Sequence, residues 1–404
     1  MAHKPNIRFK GFTEEWKKSP LSDYLVVSSE RNINNQYTAE DVQSVSGEYG
    51  VVNQIEFQGR SFAGASLLGY RVIHHGEIAY TKSPLKQSPY GIIKANKIET
   101  GIVSSLYGVY KVKNGYANFI QDYFDLISRL NGYLRPLVNK GAKNTLLITD
   151  DGAISGDVIF PNEAEQKEVS KIIESISASI TQREKELEKL KNIKRALLEK
   201  LFPQNGEKVP ALRFKEFAEE WEEVAFGTVI RENKDVSEVE NEDTLLSSAI
   251  EGMFLNSELF DHQRGQSNKG YRKIKKGMLI LSAQNLHLGN ANVNLRFEHG
   301  LVSPAYKTYD IIGNDAFYMA AWVKREETKK FFDSATTVGA SLCRKNINWD
   351  DLYAQKLKKP SIREQEKLGK FIFRINQLIA LHEKQISLMK NTKKVFLEQM
   401  FVNE

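Results

Sequence analysis

The stretch PNEAEQKEVSKIIESISASITQREKELEKLKNIKRALLEKLF, residues 161–202, decides how the rest of the chain is read. Its apolar residues Val169, Ile173, Ile176, Ile180, Leu187, Leu190, Leu197 and Leu201 recur in alternating steps of four and three, with Arg183 and Lys194 as polar slots. A period of about 3.5 marks the seam of a supercoiled helix and not a broad core-facing stripe. At about 1.5 Å per residue, the stretch predicts a rod on the order of 60 Å long. Pro161 leads in, acidic residues crowd the first turns, and Pro203 stops the helix.

The rod returns at residues 360–401, PSIREQEKLGKFIFRINQLIALHEKQISLMKNTKKVFLEQMF. Its seam, Leu368, Ile372, Ile375, Ile379, Ile386, Met389, Phe396 and Met400, lies 199 positions after the first throughout. The polar slots His382 and Lys393 keep the same offset from Arg183 and Lys194. Sharing the interruptions as well as the seam makes this an internal repeat.

The segments ahead of the rods also echo each other. Arg8-Phe9-Lys10-Gly11-Phe12-Thr13-Glu14-Glu15-Trp16 returns as Arg213-Phe214-Lys215-Glu216-Phe217-Ala218-Glu219-Glu220-Trp221, 205 positions later. Gly69-Tyr70-Arg71 returns as Gly270-Tyr271-Arg272, and Val103-Ser104 with Tyr107 as Val302-Ser303 with Tyr306. Gly76-Glu77-Ile78-Ala79-Tyr80 and Gly277-Met278-Leu279-Ile280-Leu281 read as strands entered through a glycine turn. Residues 118–130 and 316–333 read as helices. The expected order is a globule at 1–160, a rod at 161–205, a globule at 206–359 and a rod at 360–404, an α+β chain of two tandem mixed globules.

Bulk properties bound the function. The 404 residues are 41% hydrophobic and 27% charged, with a net charge of +6 that permits nucleic-acid binding without demonstrating it. No run of about eighteen apolar residues predicts a membrane span, and the first residues lack a secretory apolar stretch. Cys343 is the single cysteine; it cannot form an internal disulfide and suits a reducing cytoplasm.

Catalytic motifs are missing. There is no phosphate-binding loop, no Gly-rich turn for S-adenosylmethionine, and no amino-methyltransferase motif; Gln87-Ser88-Pro89-Tyr90 is the nearest string. His74-His75 reads as a surface turn and carries no metal expectation. Asp150-Asp151 lacks the remainder of a nuclease motif and reads as a helix cap or turn. The chain is read as non-catalytic and free of cofactor and metal.

Two similar globules on paired rods have approximate two-fold symmetry, as does a duplex with two half-sites. The competing reading is a duplicated coiled-coil scaffold that joins two protein-interaction modules. A third is an autonomous nuclease or methylase.

The repeated Arg-Phe-Lys-x-Phe-x-Glu-Glu-Trp and Gly-Tyr-Arg motifs occur with the rod openings Pro161…Glu165-Gln166 and Pro360…Glu364-Gln365 and the run Asn346-Ile347-Asn348-Trp349-Asp350-Asp351-Leu352. With these, the full chain resembles the specificity (S) subunit of a type I restriction-modification enzyme. The first copy departs at Leu147-Ile148-Thr149-Asp150-Asp151-Gly152. The resemblance implies two target recognition domains, each reading one half of a bipartite site on double-stranded DNA. It also implies that the helices pair as an antiparallel coiled coil and dock two methyltransferase subunits. S-adenosylmethionine would belong to those partners, and ATP and Mg²⁺ to a further motor-nuclease subunit.

For DNA contact the expectation falls on polar loops, because Asn and Gln read adenine and Arg reads guanine. After the glycine-initiated strands these are Lys82, Ser83, Lys86 and Gln87, and Gln284, Asn285 and His287. Before the rods they are Lys140, Lys143 and Asn144, and Arg344, Lys345 and Asn346. Arg264, Gln266, Asn268 and Lys269 form a third cluster.

Overall fold

A computed structural model describes residues 3–33, 35–64, 66–140, 146–204, 206–260, 267–341 and 344–402. The chain forms two compact units, residues 1–184 with 385–404, and residues 185–384. The predicted rods are the helices Glu163–Lys200 and Ile362–Gln399. The unit boundaries fall inside these helices and not at their ends, because each half of a helix packs into a different core. Among the described residues no helix is long and apolar enough to cross a membrane.

In the first unit, Leu25–Val27, Gly108–Val112, Ile78–Tyr80 and Ile93–Ala95 lie side by side in that order as an antiparallel sheet. The strand predicted after Gly76 is thus central, and Gly76 takes φ +81°, a backbone state that suits glycine. Lys17–Pro20 pairs with Asp157–Phe160, zipping the start of the globule to its end just before the helix. Trp16, Tyr110, Phe119, Tyr123 and Phe160 share one core with Val169 and Ile173 from the start of the first long helix. Leu397, Met400 and Phe401 from the end of the second complete it. Since Arg183 also donates to Gln385 Oε1 (2.7 Å), the two helix segments of this unit run antiparallel.

The second unit repeats the arrangement by itself. Ile230–Asn233, Tyr306–Ile311, Leu279–Ser282 and Ala291–Val293 form the sheet, and Glu222–Ala225 pairs with Lys356–Lys359. Trp221, Phe226, Tyr309 and Tyr318 pack with Leu368 and Ile372, and with Leu198, Leu201 and Phe202. Lys191 pairs with Glu383 at 2.8 Å. Every predicted seam residue is buried or half-buried. Leu198 and Leu397 are buried too, one position off the seam; they also stand 199 apart and belong to the globule cores.

The repeated motifs prove to be two halves of a clasp. Arg8 grips Glu165 with Nε–Oε1 2.7 Å and Nη2–Oε2 2.8 Å, and Arg213 grips Glu364 with both contacts at 2.8 Å. Both glutamates are almost fully buried. Next to them Gln166 accepts from the Tyr116 N–H and donates to the Pro161 carbonyl, as Gln365 does with Asp315 and Pro360. The lead-in peptide is thereby tied to the first turn of its own long helix.

One buried carboxyl makes stability depend on pH. Asp122 accepts from Ser170 Oγ (2.7 Å) on the first long helix and is almost completely enclosed. Burial, with Asp125 adding like charge, pushes it up to about 7 against the pull of Lys97, Ser170 and Lys393. The fold therefore favours the neutral acid, and this contribution is full below about pH 4 and is lost as pH rises towards 7. In the Asp122→Asn variant that loss should vanish. Urea denaturation at several pH values should show wild type falling relative to the variant across this window, by at most about 1.4 kcal/mol per pH unit. A constant difference would refute the raised value.

Candidate nucleic-acid interface

In the first unit, the turn after Ile78–Tyr80 begins at Lys82, whose φ of +48° is uncommon for a lysine. That conformation aims its ammonium inward, 2.6 Å from Asp150 Oδ1, while Arg71 Nη2 lies 2.5 Å from Asp150 Oδ2. Burial raises the Asp150 carboxyl, but Lys82 and Arg71 outweigh it and hold the group below its usual value. Asp150 opens the short helix Asp150–Ala153, but the cap expected of the acidic pair comes from Thr149, whose hydroxyl accepts from the Gly152 N–H. The Arg of Gly-Tyr-Arg is thus a tie to that helix, and Lys82 is already neutralised. Ser83 donates to the Thr81 carbonyl (3.2 Å), whereas Lys86 and Gln87 are exposed.

Lys140 ends a two-residue strand, Asn139–Lys140, paired with Leu146–Leu147. What reads from sequence as a loop before the rod is therefore the stem of a β-hairpin; Lys143 and Asn144 lie outside the described residues. His74 sits in the turn before Gly76, with Nε2 2.9 Å from Glu30 Oε2. Among the described residues no group of His, Cys, Asp or Glu is placed to hold a metal ion.

The second unit gathers more of the expected residues. The hairpin Thr336–Ser341 with Arg344–Ile347 carries Arg344, Lys345 and Asn346. Lys345, Asn346 and Gln284 line one cavity of about 440 Å³ with Trp349. Lys345 also pairs with Asp333, which this contact holds below the usual carboxylate value. Lys307 Nζ stands 4.1 Å from the centre of the Trp349 ring. Trp349 occupies the place of Asp150, 199 positions on, so the ion trio of the first unit has become a cation–π contact. Gln284 and Asn285 are exposed, and His287 is half-buried in the turn Leu286–Leu288.

The third cluster divides. Lys269 is exposed, and Arg264, Gln266 and Cys343 lie outside the described residues. Asn268 is only 4% exposed; it accepts from the Asn241 N–H and donates to Asn241 Oδ1. With Asn241 at φ +55°, Asn268 holds a strained turn and presents nothing outward. Its polarity resembles that of a reader, and only its burial separates the two roles.

No protein-family profile and no curated protein matches the sequence. Solved structures do. The S subunit of a type I restriction-modification system from M. genitalium superposes with a TM-score of 0.61 at 12% identity, covering 99% of this chain and all of that one. The chain has the S-subunit fold. A second match, from a study of complex assembly and conformational transition of the type I R-M system, has a TM-score of 0.50 at 14% identity, covering 96% and 98%. The two globules and the two 38-residue helices are what this chain shares with the S-subunit fold.

Proposed function

We propose that this chain is the DNA-reading, non-catalytic specificity subunit of a type I restriction-modification complex in the cytoplasm. One observation carries the reading. Two globules with the same strand order hold different polar groups at the same place, Lys82 and Asp150 in one, Gln284, Lys345 and Asn346 around a cavity in the other. Equal scaffolds with unlike tips suit a bipartite target with two different halves. Lys86, Gln87, Lys140, Gln284, Asn285, His287, Lys269, Arg344, Lys345 and Asn346 are the proposed contacts, the lysines positioning on phosphate and the amides reading bases. The paired helices set the gap and offer surface to two methyltransferase subunits. Those partners hold S-adenosylmethionine, and a motor-nuclease subunit uses ATP and Mg²⁺.

The test is an exchange of residues 1–160 for those of a second chain of this fold. Methylated positions are then mapped with the methyltransferase partners present. One half-site should change while the other and the gap persist; both halves changing together would overturn modular reading. Absence of salt-dependent, sequence-selective duplex binding with partners present would favour the scaffold instead.

A further inference from the structure

We infer that the second unit contains a binding site for an oxyanion the size of phosphate, alone or as the end of a small phosphorylated molecule, in the cavity faced by Lys194, Lys324 and Arg325. The inference is independent of DNA reading and rests on a comparison the duplication itself supplies.

In the first unit the equivalent place is closed. Asp125, at the end of helix Ala117–Asp125, accepts from Lys94 Nζ at 2.6 Å, and Lys393 Nζ lies 3.5 Å from its other oxygen. Asp125 and Lys94 are about nine-tenths buried, and the carboxylate sits between two ammonium groups. In the second unit Lys324 takes the place of Asp125, 199 positions on, and Asn292 takes that of Lys94 in the matching strand Ala291–Val293. Lys194, 199 positions before Lys393, is retained. The exchange removes the anion while the number of cations stays at two, so their charge is left without a partner carboxylate at this place.

The consequences are visible around Lys324. Its Nζ donates to the Ile250 carbonyl (2.8 Å), the Ala291 carbonyl (3.0 Å) and Asn292 Oδ1 (2.6 Å), so its three protons are engaged and its charge is fixed in place. Lys194 is half-buried and has no carboxylate at ion-pair distance among the described residues. Burial lowers the affinity of both lysines for their protons, Lys324 to about 8 with Lys194 contributing, while Glu251 opposes it. Glu383 favours the charged Lys194 but is itself paired with Lys191.

Arg325, where the first unit has Leu126, is 8% exposed. Its Nε donates to the Leu198 carbonyl and its guanidinium lies 4.5 Å from the Phe202 ring centre. Its Nη2 is buried without a hydrogen bond, although Glu327 Oε2 lies 3.2 Å away. The cavity these groups share measures about 510 Å³, and its other carboxylates, Glu199, Glu251 and Glu326, are exposed. Lys194 supplies unused donors, Arg325 adds a buried guanidinium whose Nη2 has Glu327 as an ion-pair neighbour but no hydrogen bond, and Lys324 supplies a fixed positive field. A phosphate oxyanion restores what Asp125 gives the first unit.

The full chain should be titrated with inorganic phosphate against potassium chloride at matched ionic strength, by calorimetry and by thermal midpoint. Phosphate should bind saturably and raise the midpoint where chloride does not. Lys194→Met should weaken binding about tenfold or more. The double exchange Asn292→Lys with Lys324→Asp rebuilds the closed trio of the first unit, and it should abolish binding while the chain stays folded. A phosphorylated sugar titrated in parallel shows whether a larger molecule gains affinity over the free ion. No saturable response, or a response unchanged in the folded double exchange, overturns the inference.

Discussion

Replacing Glu165 by Ala is expected to lower the stability of the first unit by about 3–5 kcal/mol. The effect is large because Arg8 remains behind, with its side chain 14% exposed and its bidentate partner gone. In the intact clasp the Glu165 hydrogen bond outweighs burial and raises the arginine further above its ordinary value, which keeps it charged. Without the carboxylate, the Glu14 carbonyl is the one acceptor left to it among the described residues. Hydrogen exchange locates the damage. Amides of the pair Lys17–Pro20 and Asp157–Phe160 should open first, while Glu222–Ala225 and Lys356–Lys359 keep their protection. Glu364→Ala should produce the reverse pattern through Arg213. The double variant Arg8→Met with Glu165→Leu should recover much of the loss, since it leaves no buried charge unpaired. A single-variant loss below about 1 kcal/mol would place the clasp with ordinary exposed ion pairs.

Inserting one heptad into both long helices, after Glu184 and after Lys384, should lengthen the gap of the DNA target by about three base pairs. Seven residues add about 10 Å of helix, against 3.4 Å per base pair. A heptad returns the seam to the same face, so apolar residues still meet apolar residues on either side of the insertion. Both half-sites should therefore keep their sequence while their separation changes. Mapping methylated bases with partners present reads this directly. An unchanged gap with both half-sites intact would remove the helices from the role of spacer.

The helices were fully legible in the sequence, because a period of 3.5 interrupted twice at matched places describes a duplicated supercoiled helix and little else. Where the units divide was not legible. Periodicity says which face of Ile173 or Ile372 is covered, and it is silent on whether another helix or a globule covers it. The lead-in motif was visible as a repeat, but its meaning was not, since Arg8 meets Glu165 across 157 positions. A second signal lay in the duplication: Arg8, Glu165 and their counterparts Arg213 and Glu364 all survive in both copies. The polar tips were least legible. Lys82, Asn268 and Lys345 have the composition of readers, yet one is tied to Asp150, one is buried under a turn, and one borders a cavity while paired to Asp333. Composition cannot separate a solvated side chain from one held by a neighbour distant in sequence.

Phe401 lies 5.1 Å from the Phe119 ring centre and 6.4 Å from that of Trp16. During synthesis, then, the half of the protein that leaves the ribosome first is the half that is completed last. Its aromatic slot stays open until Phe401 emerges, whereas Phe202 reaches Trp221 after only nineteen residues. Closing so long a loop is slow, and a chain lacking Phe401 would carry its damage around Trp16 and Phe119.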